Sequence, residues 1–157
     1  MLLSGIAAAG FIAALICHIL GWLQINPPGG NWVFLLHVGC MALWIPLVIF
    51  ANKTKPPGMK GNMDHLLAEV PKWVRMIAGI VFGYAILNFI YFIYCTSQFP
   101  KNKVPSYIHL RGFSGHWMMF YGIAAIGFFA LARLEKKRKE AASNQVPMRG
   151  IGTGNGK

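Results

Sequence analysis

The sequence predicts an all-α membrane protein: a bundle of four transmembrane helices with a short interfacial helix and a disordered basic C-terminal tail. Three observations predict it. Hydrophobic residues make up 55% of the 157 positions and charged residues 12%, about half the charged share of an average soluble domain. The charges are also segregated, nearly absent from four stretches (2–23, 31–51, 73–95 and 111–134) and crowded between and after them. Each stretch reaches the roughly 20 residues that, at about 1.5 Å per residue, cross a hydrocarbon core of about 30 Å.

The first stretch is broken only by Ser4 and His18. It lacks the basic start of a secretory signal and its apolar core is too long for one. Gly10, Ala14 and Gly21 share a helical face with His18, so this face allows close approach of a neighbour. The turn QINPPGG at 24–30 carries no charge and is dictated by Pro and Gly. The second stretch holds His37 and Cys40 one turn apart, and Pro46, which is expected to kink it.

The loop 52–72 opens with turn residues and lysines. Met63, Leu66, Leu67 and Val70 then recur at helical spacing, which predicts a short amphipathic helix at the membrane surface with Asn62 as its N-cap. His65 falls on its solvated side. Asn52-Lys53-Thr54 is a glycosylation sequon expected on the wrong side of the membrane for use. In the third stretch Gly79 and Gly83 are spaced for packing against another helix, and Asn88 is the one strongly polar interior group. Beyond the fourth stretch, LEKKRKE continues as a charged helix end, and 141–157 reads as disordered. The chain thus divides into a membrane domain, 1–134, and a basic, Gly-rich cytoplasmic tail, 135–157.

Loop charge sets the orientation. Lys53, Lys55, Lys60, Lys72 and Arg75 flank the second loop, and Arg133 with Lys136–Lys139 opens the tail, whereas the first turn has no Lys or Arg. The positive-inside rule places both termini in the cytoplasm, against the weaker vote of Lys101, Lys103 and Arg111, and a bacterial inner membrane suits the pattern. The same placement accounts for the net charge of +11, so nucleic acid is not an expected partner. Cys17, Cys40 and Cys95 sit in or at the ends of apolar runs and read as small hydrophobes.

The unusual chemistry is concentrated in HLRGFSGHWMMFY, 109–121. His18 and His37 each stand about ten residues from the centre of the first turn, and His116 lies early in the fourth span. All three therefore fall at similar depth beneath the outer surface, with His109 just above. Ionisable groups in a bilayer face the bundle interior and mark functional sites by default. The three can be read as ligands of haem b or of a copper or zinc ion, with His109 a further metal candidate. Against that stands the plain alternative that each imidazole only bonds a neighbouring helix, and no pair has a dedicated ligand spacing.

Arg111 has two readings also, as an anion or headgroup contact and as an interfacial anchor. Met118 and Met119 read as apolar filler rather than copper ligands. Ser114 fits as a packing or capping residue, because its side chain and that of His116 point apart on a helix. The acids lie outside the spans, which counts against carboxylate chemistry and proton coupling. The reading favoured is a small polytopic, non-enzymatic accessory or interaction subunit, its bundle completed by other membrane subunits or by copies of itself. The alternatives are a haem- or metal-binding redox protein and, more weakly, a small transporter.

Overall fold

The computed structural model of the chain describes residues 1–26, 30–59, 63–100 and 103–144. The described residues form helices and no strands. They comprise α1 (Leu2–Trp22), α2 (Leu35–Thr54, entered through a 3₁₀ turn, Gly30–Phe34), α3 (Asp64–Leu67), α4 (Lys72–Ser97) and α5 (Ser106–Asn144). Four of them (α1, α2, α4 and α5) are long and apolar enough to cross a membrane. α2 runs through Pro46 without a break. α5 starts five residues earlier than the apolar run, directly after Pro105, and continues through the charged segment to Asn144. Ala141–Asn144 are therefore helical, and 145–157 lie outside the described residues.

α5 is the hub of the bundle, in contact with α1, α2, α3 and α4. Its buried positions run all the way round it, from Ile108 and Leu110 through Trp117 and Tyr121 to Phe128 and Ala130. A helix buried on every side must be approached from every side, and small residues make that possible. Gly112 and Gly115 receive Phe92 and Asn88 of α4, Gly122 receives Phe11 of α1, and Gly127 receives Leu47 of α2. The α1 face anticipated from Gly10, Ala14 and Gly21 does turn inward: Ala7, Ala14, Cys17, His18 and Gly21 are its buried residues. Tyr121 lies where a Cβ at Gly10 or Gly39 would be, and its hydroxyl donates to the Leu36 carbonyl at 2.9 Å.

α4 behaves differently. Val74, Ala78, Val81, Ala85, Asn88, Phe92 and Cys95 are buried or half-buried, an alternation of four and three that makes one narrow seam on α5; Gly83 and Thr96 are half-buried outside it. Gly79 and Gly83 lie opposite this seam, and a Cβ at either meets nothing within 4 Å. The helix expected against Gly79 and Gly83 is thus not one of the described helices of this chain.

The connection before α4 is clasped to the far end of α5. α3 is a single turn with no side-chain cap, and Asn62, the expected N-cap, lies outside the described residues. Leu66 and Val70 pack with Ala51 and Ala130. Lys137 pairs with Glu69 at 2.7 Å, Arg133 donates to the Glu69 carbonyl and Arg138 to the Thr54 carbonyl. His65 is buried, not solvated as its sequence position predicts, and its Nε2 lies 3.0 Å from Thr54 Oγ1. The α3 turn folds back against α2 and α5 instead of standing off them, which buries the residue the amphipathic pattern assigns to water. Met1, Leu2 and Leu3 line a cavity of about 370 Å³ together with Glu135 and Arg138, so the start of α1 and the charged end of α5 share one end of the bundle.

Candidate functional site

At the opposite end the last turns of α1 and α4 meet the first turns of α2 and α5, and the polar side chains gather there. His18, four residues before the last residue of α1, Trp22, is buried. Trp22 Nε1 donates to His18 Nε2 at 3.0 Å. Indole nitrogen is donor only, so Nε2 is the acceptor and the proton of the neutral ring sits on Nδ1. Nδ1 then donates to Ser114 Oγ at 2.9 Å, and Ser114 Oγ donates to the Arg111 carbonyl at 3.1 Å. The Tyr84 hydroxyl of α4 also bonds His18 Nε2. One imidazole thereby ties together α1, α4 and α5.

Asn88 extends this network. Its Nδ2 donates to the carbonyls of Arg111 (3.1 Å) and Gly112 (3.2 Å), and His116 Nδ1 donates to the same Gly112 carbonyl at 3.1 Å. His18 and His116 are thus joined through Ser114, Asn88 and two backbone carbonyls. His37 stands apart. It is exposed at the start of α2, and its Nδ1 accepts from the buried Trp117 Nε1 at 3.2 Å. Its ring thus turns toward α5, yet the residue stays exposed, whereas Cys40, one turn on, is buried. His109 stacks on Phe113, which in turn presents its edge relation to His37. His116 meets the ring of Phe89 at 4.6 Å.

The four histidines of this end therefore each have their own partners. Among the described residues no three His, Cys, Asp or Glu side chains group so as to hold a metal ion, so haem or metal ligation gains no support from the arrangement. Nor does Ser114 become a nucleophile. It is fully buried, and the histidine beside it is a donor to its oxygen rather than a base.

Arg111 is buried too. Its guanidinium carbon lies 4.5 Å from the ring centroid of Trp22 and 4.6 Å from that of Tyr91, and Nη2 donates to Cys95 Sγ at 3.2 Å. Gly21 makes this possible, because a Cβ there would stand 2.8 Å from the Arg111 backbone nitrogen.

No protein-family model matches this chain, and neither a curated protein nor a solved structure matches it.

Trp22, Tyr84 and Tyr91 carry no sequence signal for this role, since aromatics are common in membrane spans and at their ends. Ser114, expected as a packing or capping residue, is fully buried, and its histidine partner is His18, 96 positions away, rather than the neighbouring His116. A seam of period 3.5 in α4 containing Asn88 was the available signal that this end of α4 faces α5.

Proposed function

We propose that this chain is a small polytopic integral membrane protein acting as a non-enzymatic accessory or interaction subunit, joined to a partner transmembrane helix through the outer face of α4. The observation that carries this reading is the open space at Gly79 and Gly83. Six other glycines, Gly10, Gly21, Gly39, Gly112, Gly115 and Gly127, have a side chain or backbone within 3.0 Å of where a Cβ would be. Most glycines inside the long helices of this protein therefore mark a place where something lies close, and only Gly5, near the start of α1, shares the open surroundings of Gly79 and Gly83. Glycine costs helix stability relative to alanine, and lipid gives no reason to keep two of them one turn apart. Met76, Ile86 and Ile90 flank the pair and are exposed, a surface of the right kind for an apolar helix.

In this reading the polar network is structural: it fixes α1, α4 and α5 so that α4 presents its outer face rigidly. Both termini face the cytoplasm of a bacterial inner membrane, on the strength of loop charge. The test is in-membrane cross-linking. Gly83→Cys, in a chain with Cys17, Cys40 and Cys95 replaced by Ala, should give a cross-linked product of higher mass when a short bis-maleimide is added to native membranes. A product of twice the chain's mass identifies a second copy, and any other mass a different subunit. Gly83→Cys that remains wholly uncross-linked, while the same reagent captures a control pair across the α4–α5 seam, overturns the proposal.

A further inference from the structure

The Arg111 guanidinium is a cation with most of its hydrogen-bonding capacity unused. All four acidic residues of the chain, Asp64, Glu69, Glu135 and Glu140, belong to the connection before α4 or to the charged end of α5, at the other end of the bundle. None of the ion pairs among the described residues involves Arg111. Guanidinium offers five N–H donors, and among the described residues the one acceptor that the Arg111 side chain meets is a cysteine sulfur, a weak one. Its Nε and Nη1 have no acceptor among the described residues and yet are not among the fully buried unpaired atoms. Although the residue as a whole is buried, this edge of the guanidinium therefore reaches the protein surface.

Position and surroundings indicate what meets that edge. Trp22 is the last residue of α1, Tyr91 and Cys95 belong to the last two turns of α4, and Arg111 is the sixth residue of α5. Six residues of helix amount to about 9 Å, which is headgroup depth in a spanning bundle. Arginine near a helix end ordinarily extends into the headgroups along its flexible stem. Here the stem is buried, and the charge is held in place against two aromatic rings, Trp22 and Tyr91, which are themselves stacked 8° from parallel and exposed outward. The ring contacts favour the cation without neutralising it. A fixed, planar, uncompensated fork at this depth matches the paired oxygens of a phosphate group.

We propose that Arg111, walled by Trp22 and Tyr91, is a binding site for a phosphate group at the membrane interface. The phosphodiester of an anionic phospholipid fits its two chemistries at once, with oxygens on the guanidinium edge and glycerol and acyl carbons along the exposed rings. Soluble phosphate offers only the first.

The test titrates the delipidated full-length protein, in a phosphate-free detergent, with dioctanoyl phosphatidylglycerol, dioctanoyl phosphatidylcholine and inorganic phosphate, and counts adducts by native mass spectrometry. One saturable equivalent of phosphatidylglycerol is expected, with phosphatidylcholine weaker. Arg111→Gln should reduce phosphatidylglycerol binding to background. Arg111→Lys, which keeps the charge but not the fork, should weaken it severalfold. Displacement of the lipid by millimolar inorganic phosphate assigns the site to soluble phosphate, and indifference to it assigns the site to lipid. Because Arg111 also packs against α4, the wild-type chain gives a second measurement. Bound phosphatidylglycerol should shield Arg111, and not Arg75, from phenylglyoxal, as read by peptide mass mapping. Unchanged phosphatidylglycerol binding in Arg111→Lys, or equal modification of Arg111 with and without the lipid, overturns the proposal.

Discussion

α5 and α4 look alike as sequences and stand in opposite relations to the rest of the chain. Both are long, apolar, glycine-bearing helices. In its most apolar window α5 is 39% buried and α4 11%. The glycines of α5 are filled by Phe92, Asn88, Phe11 and Leu47, whereas Gly79 and Gly83 of α4 meet nothing. The difference teaches that a glycine in an apolar helix does not by itself tell whether the chain fills the space beside it. For α5 the approaching helices are supplied internally. α4 supplies one seam inward and turns the face of Gly79 and Gly83 outward.

The comparison breaks most readily at the tryptophans. Trp117 of α5 is fully buried among the core residues and donates to His37, whereas Trp73 at the start of α4 is largely exposed. Trp117→Ala should lower stability by about 3–5 kcal/mol through the cavity it leaves, and Trp73→Ala by less than about 1 kcal/mol. Reversible unfolding in mixed detergent and SDS micelles measures both. Similar losses would mean that α4 is as deeply packed in solution as α5.

The glycines themselves give the next effect. A Cβ at Gly21 would lie 2.8–2.9 Å from the backbone nitrogen, Cα and Cβ of Arg111, atoms that cannot swing aside as a side-chain tip can. Gly21→Ala must push α1 from α5, at a cost of about 1–3 kcal/mol. Gly79→Ala, by contrast, should be neutral or slightly stabilising, since it meets open space and removes a poor helix former. The same unfolding assay decides between them, and a destabilised Gly79→Ala would place another element of this chain on that face.

How much of this was legible in the sequence follows from the same contrast. Four apolar helices, a buried face on α1 at Ala14 and Gly21, and the gathering of His18, Arg111 and His116 at one end can all be derived from hydropathy, helical spacing and loop length. Rotation about each helix axis cannot. His37 shares a spacing with Cys40, yet Cys40 is buried and His37 is exposed even though it accepts from Trp117 of α5. His65 was misjudged because its helix is one turn long and clasped by Lys137, Arg133 and Arg138 of α5. An amphipathic period says which face is apolar, not what folds over the polar one. Asn88 was recognised as polar and interior, but its acceptors are backbone carbonyls 23 and 24 positions away, and no side-chain pattern announces a carbonyl.

The histidines sharpen the comparison at a smaller scale. His18 and Ser114 are directly bonded, whereas His37 and His18 share no partner. His18→Ala and Ser114→Ala should each cost about 1 kcal/mol. Their double mutant should lose less than the sum by at least about 0.5 kcal/mol, as expected for groups in one network. His18→Ala combined with His37→Ala should instead be additive within about 0.5 kcal/mol. Strong coupling between the two histidines would revive a shared ligand between them.

The smallest effect on the isolated chain belongs to Gly83→Leu, and it carries the most information. Gly83 lies on α4 opposite the seam formed by Val81, Ala85 and Asn88, and a Cβ there has nothing within 4 Å. A leucine side chain therefore displaces no atom of this chain, and its cost to monomer stability should be within about 0.5 kcal/mol, as for a substitution away from any packed feature. A helix seated on Gly79 and Gly83 would feel the same leucine at once, since close approach of two backbones depends on the missing side chains. The expected signature is thus a split. Unfolding of the purified chain stays unchanged, while the cross-linked product from native membranes, followed through Ile90→Cys on the same face, is lost. Phe82→Leu, beside the seam rather than opposite it, should leave the product in place. Loss of monomer stability in Gly83→Leu would show that the face is closed from within, and retention of the cross-link would show that the partner does not need the glycines.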